Sequence, residues 1–268
     1  MKGQIIGLQG WLETPPGRYL LEWEQAQFDE AVADVFGYRA LQLGLAGVEA
    51  LRTNRMPNRW LALQQPAQLH QATLLADFTA LPFPANSLDL VVLPHALELS
   101  HDPHATLREV ERVLVPEGRV VICGLNPASL WGMRQRRAHL YRRLGFGELF
   151  LPEAGDFIGY WRMRDWLRLL SFEVESGRFG VYRPAVHSQS WLDRCRWFDA
   201  AGERWWPIFG AVYFIVAVKR VRGMTLLQAD WKRKPAIAKA PMPIAGRMHR
   251  GQSRPAQPAQ NERMEEIS

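Results

Sequence analysis

The stretch from Leu88 to Cys123 constrains the fold more than any other part of the chain. Leu88-Asp89-Leu90-Val91-Val92-Leu93 is an apolar run bounded by Asn86-Ser87 and by Pro94, which is the pattern of a buried strand. Asp102 to Leu114 follows with helical spacing of Leu107, Val110, Val113 and Leu114. Pro103 stands at the first helical position, where a missing N–H has no helical partner to lose. Pro116-Glu117-Gly118 reads as a turn, and Arg119-Val120-Val121-Ile122-Cys123 as the next strand. Strand, helix and strand at this spacing form a βαβ unit, hence part of a parallel sheet covered by helices.

The flanks extend that pattern. After the breaker Thr14-Pro15-Pro16-Gly17, apolar residues recur at Leu20, Leu21, Phe28, Val32, Val35 and Phe36, predicting an amphipathic helix that ends at Gly37. Arg39 to Gly44 and Trp60 to Leu63 are two further candidate strands. A second helix is expected from Arg162 to Leu170, leading into the strand-like Phe172 to Ser176. Ile208 to Val218 then gives a last apolar strand, a hairpin partner at the end of the sheet.

Composition closes off several classes. At 268 residues, 47% hydrophobic and 22% charged, the chain builds a substantial core without disulfides, and two cysteines, Cys123 and Cys195, make no framework. The longest late apolar run, Trp205 to Val218, is 14 residues and is broken by Pro207 and Gly210. A spanning helix needs about 20. Without a basic-then-apolar leader either, the expected location is the cytoplasm. The net charge of +6 is unevenly spread. From Gly223 to Ser268 eight basic residues face four acidic ones, leaving +4 there and +2 on the other 222 residues. We therefore expect a folded domain over 1–222 and a disordered basic tail over 223–268. Within the domain, 126–160 reads as an arginine-rich insertion, with Arg134, Arg136, Arg137, Arg142 and Arg143 beside an apolar helical stripe of Leu130, Met133, Leu140, Tyr141 and Leu144.

The segment from Ala76 to Val92 narrows the class. It contains Asp77-Phe78, then Leu81-Pro82-Phe83, then the Asp89-Leu90-Val91-Val92 strand. With His95-Ala96-Leu97-Glu98-Leu99, Leu107 to Leu114 and Pro116 to Ile122, it resembles class I S-adenosylmethionine-dependent methyltransferases of the group related to ubiquinone and menaquinone methyltransferases. Weaker similarity in spacing runs from about Gly37 to Arg220. Within that class the whole chain is most similar to a small proteobacterial methyltransferase-like family with a basic C-terminal tail.

The resemblance implies a Rossmann-like α/β fold: a mostly parallel central sheet, a C-terminal antiparallel hairpin strand and helices on both faces. It also implies S-adenosyl-L-methionine as cofactor and an unidentified acceptor, expected to be a small molecule. Asp77 would accept from the adenine amine, the Phe78 N–H would donate to the ring, and Gly44 and Gly47 would line the methionyl end. Gln64 stands where the family carries a ribose-binding acid, and Gln42 where its first strand carries another. Pro94 and His95 would flank the transferring methyl, with His95 the one candidate general base. No metal is expected at His101 and His104, which have no further ligand cluster.

Two other functions compete on the sequence alone. The two glutamine replacements suggest a catalytically weak or inactive fold that binds a nucleic acid or an acidic surface through its insertion and tail. A nucleic-acid methyltransferase is the other, against which Asn126-Pro127-Ala128 lacks the second proline and the aromatic of the amine-methylating motif.

Overall fold

The computed structural model describes residues 10–64, 72–143, 150–151 and 157–220. The tail over 223–268, Gln65 and Leu144 lie outside the described residues. The expected α/β architecture is present as one seven-stranded sheet in the order β3-β2-β1-β4-β5-β7-β6. The strands are β1 (Arg39–Leu43), β2 (Asn58–Leu63), β3 (Leu74–Leu75), β4 (Leu88–Pro94), β5 (Leu114–Leu125), β6 (Phe172–Gly180) and β7 (Val212–Lys219). All neighbours from β3 to β5 pair in parallel, whereas β7 runs antiparallel to both β5 and β6. Strand order therefore reverses between β1 and β4, and the loops leaving those two strands open onto the crevice where such sheets hold ligands.

Two apolar clusters, one on each face, form the core. The first helix, α1 (Pro15–Ala33), buries Leu20, Phe28 and Val32 against one face together with Leu90, Val92 and Phe214. Pro15 and Pro16 are its first turn and break nothing; Thr14 caps it, accepting from the Gly17 N–H. The opposite face is covered by α3 (Pro103–Val113) and α5 (Tyr160–Leu169) through Leu107, Val110, Met163 and Leu167. Asp102 caps α3, its Oδ1 taking the Ala105 N–H at 2.9 Å. A one-turn helix, α2 (Ala96–Leu99), precedes α3, and α4 (Leu130–Arg143), α6 (Gln189–Arg194) and α7 (Trp197–Trp205) complete the set.

Two expectations need correction. The segment Pro116-Glu117-Gly118 lies inside β5, which already pairs with β4 at Leu114; Glu117 takes φ +64° and the register shifts there, so the turn became an irregularity within a strand. The last strand begins at Val212, not at Ile208, because 207–209 is a short 3₁₀ turn. The expected helix of the insertion is present as α4, with Trp131 and Gln135 buried and the stripe residues Leu130, Met133, Leu140 and Tyr141 exposed.

Candidate cofactor site

The crossover from β1 to β2 contains no helix. Residues 44–57 are irregular, yet Leu45, Val48, Ala50 and Leu51 are buried beneath α1. Gln42 supplies what a helix would otherwise give. Its buried amide nitrogen donates to the carbonyls of Leu45 (3.1 Å) and Val48 (2.6 Å), and its Oε1 accepts the Ala50 N–H (3.1 Å). A carboxylate has no donor for those carbonyls, so an acid at this position would leave the Val48 carbonyl unpaired and the Leu45 carbonyl with only the Val48 N–H (3.3 Å). Gly44 turns the chain at φ +75°, left-handed backbone in which a side chain is strained. Its N–H donates to Ala62 at 2.9 Å, which keeps the turn on the end of β2. A Cβ built there would sit 3.5 Å from Ala96 and 3.7 Å from Phe78, so the loop after β1 touches both the loop after β4 and the Asp77-Phe78 segment.

Asp77 is exposed and closes a tight turn, its Oδ1 accepting the Thr79 N–H (2.9 Å) and hydroxyl (2.8 Å). Those two donors hold its carboxyl below the usual range. Among the described residues its second oxygen and the Phe78 N–H have no partner, whereas the Phe78 ring is buried in the core. Gln64 is half-buried at the end of β2, and Gly47 has only Leu12 nearby, at 3.9 Å from a built Cβ. A cleft of about 630 Å³ opens beside this loop, lined by Gln42, Ala46, Glu49, Arg59, Trp60 and Thr73. That volume is of small-ligand size.

Pro94 ends β4 and is buried. His95 follows in the left-handed region at φ +53°, its N–H donating to the Cys123 carbonyl. Its ring is fully buried between two carboxylates. Nδ1 lies 2.8 Å from Glu98 Oε2 and Nε2 lies 2.7 Å from Glu24 Oε1. Burial pushes the imidazole toward neutrality, but the two carboxylates outweigh it and raise its pKa well above the ordinary value. Both ring nitrogens face carboxylate oxygens, so neither is turned toward the crevice to take a proton from a substrate. The base role expected of His95 does not fit this geometry; the residue instead ties α1 to β4. Glu98 also accepts the Leu125 N–H, and Glu24 Oε2 is buried with no partner among the described residues. Burial raises the Cys123 thiol, and its sulfur lies within 4.8 Å of the nearest Glu24 and His95 donor atoms.

Sequence reasoning missed Glu24 and the work of Gln42. Glu24 had a signal: Leu20, Glu24, Phe28 and Val32 fall at four-residue intervals, which puts a carboxylate in the middle of an apolar stripe. Asp89 is structural, its Oδ2 accepting the N–H groups of Tyr38 (2.8 Å) and Arg39 (2.9 Å) at the start of β1.

The family model described as "Methyltransferase domain" matches residues 44–122, which span the Gly44 loop, Asp77, His95 and β5. Over 242 residues the chain is 30% identical to the uncharacterized protein YafS of Escherichia coli (strain K12), covering 88% of this chain and 91% of that one. The chain belongs to the same family as that protein and carries a methyltransferase domain with the class I fold. Solved structures agree in fold. A methyltransferase from Haloferax volcanii, solved in complex with the Trm112 methyltransferase activator, superposes with a TM-score of 0.54 at 19% identity, over 81% of this chain and 97% of that one. An S-adenosylmethionine-dependent methyltransferase from Mesorhizobium loti gives 0.51 at 16% identity, over 74% and 97%. Over a short segment of 59 residues the chain is 41% identical to a malonyl-[acyl-carrier protein] O-methyltransferase of Halorhodospira halophila, covering 22% of this chain and 20% of that protein. Among the described residues no helix is long and apolar enough to cross a membrane.

Proposed function

We propose that this chain catalyses methyl transfer from S-adenosyl-L-methionine to a small-molecule acceptor, with residues 1–222 as the catalytic domain, 126–160 as its substrate-side insertion and 223–268 as a tail. The observation that carries this reading is the crevice between β1 and β4. There the left-handed turn at Gly44 meets Ala96 and the Phe78 ring, and next to each other in sequence stand the exposed Asp77 carboxylate and the Phe78 N–H, which has no partner among the described residues. These groups suit a ligand that carries an amine donor and ring acceptors and lacks phosphate. When bound, the cofactor supplies an electrophilic methyl on a cationic sulfur.

The chain's own contribution is positional. Gly44 and Gly47 admit the methionyl part close to the backbone, Gln64 offers one acceptor to the ribose, and Asp77 and Phe78 fix the adenine. Pro94 closes the floor under the methyl, and buried His95 holds that loop rigid through Glu24 and Glu98. Since the His95 ring faces Glu24 and Glu98 and not the crevice, a protic acceptor would bind already ionised or lose its proton to solvent after transfer, and rate comes from proximity and in-line alignment. Gln64 binds less strongly than a carboxylate would, because a neutral hydrogen bond contributes about 1 kcal/mol against roughly 1.5–3 for a charge-assisted one. Titration calorimetry of Asp77→Ala with S-adenosylmethionine tests the assignment: affinity should fall about tenfold for one lost charge-assisted bond. Unchanged affinity would remove Asp77 from the site.

A further inference from the structure

Five consecutive apolar residues, Trp205 to Phe209, face solvent where β7 would otherwise begin. Trp205 is 73% exposed and Phe209 51%. Trp197, 62% exposed, lies two helical turns before Trp205 on the same side of α7. Such a run would be expected to turn inward, and two side chains from the body of the domain prevent it. The Asn126 amide donates to the carbonyls of Ile208 (2.7 Å) and Gly210 (2.9 Å), and the Tyr182 hydroxyl to that of Pro207 (2.9 Å). Gly210 itself lies so close to the backbone of Gly180 that a Cβ would approach within 2.7 Å of it. The backbone is clamped and its apolar side chains are held outward.

Helix α4 follows the loop whose Asn126 clamps this ridge. Asn126 begins the loop that leads into it, Trp131 donates to the Arg183 carbonyl at 2.8 Å, and Arg134 donates to the Ala185 carbonyl. From 130 to 143 the helix carries five arginines and no acid, and among the described residues Arg136 donates to the Pro127 carbonyl at 2.8 Å, not to a carboxylate. Leu130 and Met133 are exposed between the arginines. Both elements adjoin the end of β5 at which Leu125 pairs with Val212, the same end as the Gly44 loop and His95.

We propose that the Trp205–Phe209 ridge and α4 together dock the protein on an anionic phospholipid surface, with the carboxyl end of the sheet turned toward the headgroups. Tryptophan and phenylalanine held at a surface beside arginines match a bilayer interface, where the rings enter the headgroup boundary and the guanidinium groups meet phosphates. A second copy of the same face would set the exposed Arg136 and Arg137 against like charges, which argues against self-association there.

The full-length protein, without cofactor, should co-sediment with vesicles of phosphatidylcholine mixed with phosphatidylglycerol and not with phosphatidylcholine alone, and added salt should release it. Trp205→Ser combined with Phe209→Ser should weaken binding at least about tenfold with the thermal midpoint unchanged, because both side chains are exposed. Arg136→Gln and Arg137→Gln should each weaken it roughly fivefold. Undiminished binding by the Trp205/Phe209 variant, or equal binding to uncharged vesicles, would overturn the proposal. So would a concentration-dependent dimer that this variant abolishes while vesicle binding is absent. None of these readings depends on the methyl donor, so they stand or fall apart from the proposed reaction.

Discussion

The two crossovers on either side of the β1–β4 crevice solve one problem in different ways. Between β4 and β5 the chain uses an ordinary helix: Asp102 caps α3, Leu107, Val110 and Val113 fill the core, and Lys219 reaches across from β7 to the carbonyls of Glu111 (2.6 Å) and Leu114 (2.9 Å). Its stability is spread over many contacts. Between β1 and β2 there is no helix, and two buried amides, Gln42 and Asn54, satisfy the backbone. Asn54 donates to the carbonyls of Val32 (2.8 Å) and Val35 (3.2 Å) and accepts the Met56 N–H (3.0 Å). The irregular crossover is the one that faces the proposed donor. A loop without a helical ladder can bring its backbone close to a ligand, but its shape then depends on single side chains.

That contrast is open to attack at several points. Gln42→Glu should do the most damage, at about 3 kcal/mol or more, since it buries a charge and strands the Val48 carbonyl. Urea unfolding would show it, and a cost no larger than that of losing a helix cap would break the distinction. Asn54→Ala removes three bonds to backbone groups and should cost about 2 kcal/mol in the same assay.

A pH series sharpens the role of the buried knot on α1. The folded-state pKa of His95 lies above its unfolded value of about 6.5, so its contribution is complete below that pH and declines as pH rises toward the folded value. The slope should approach 1.4 kcal/mol per pH unit at most and should be reduced in Glu24→Gln. Equal slopes in the two proteins would mean that Glu24 does not hold the imidazolium. Asp102→Ala on the ordinary crossover should cost only about 1 kcal/mol, seen as a small shift in the urea midpoint.

The regular crossover was legible in the sequence because periodicity, proline placement and capping all point the same way in Leu88–Cys123. The family resemblance singled out Asp77, Phe78 and Gly44, and the fold brings the Gly44 turn against the Phe78 ring. The irregular crossover was not legible, because nothing in the spacing of Gln42 or Asn54 distinguishes a buried amide from a solvent-facing one. Gln42 looked like a lost carboxylate; in the fold it does what a carboxylate cannot. The apolar run from Ile208 to Val218 hid a boundary for a similar reason. Hydrophobicity alone does not separate a core strand from a ridge held outward by Asn126 and Tyr182. His95 could be placed from sequence but its chemistry could not, since Glu24 comes from a helix 71 residues away.

The central claim is that the crevice between β1 and β4 still takes S-adenosylmethionine although Gln42 and Gln64 replace acids. Thermal unfolding with and without saturating S-adenosylmethionine, or its demethylated product, tests this most directly. At about 100 times the dissociation constant, binding should add roughly 2.7 kcal/mol and raise the midpoint by about 5–10 °C. An unmoved midpoint at millimolar ligand would contradict the claim.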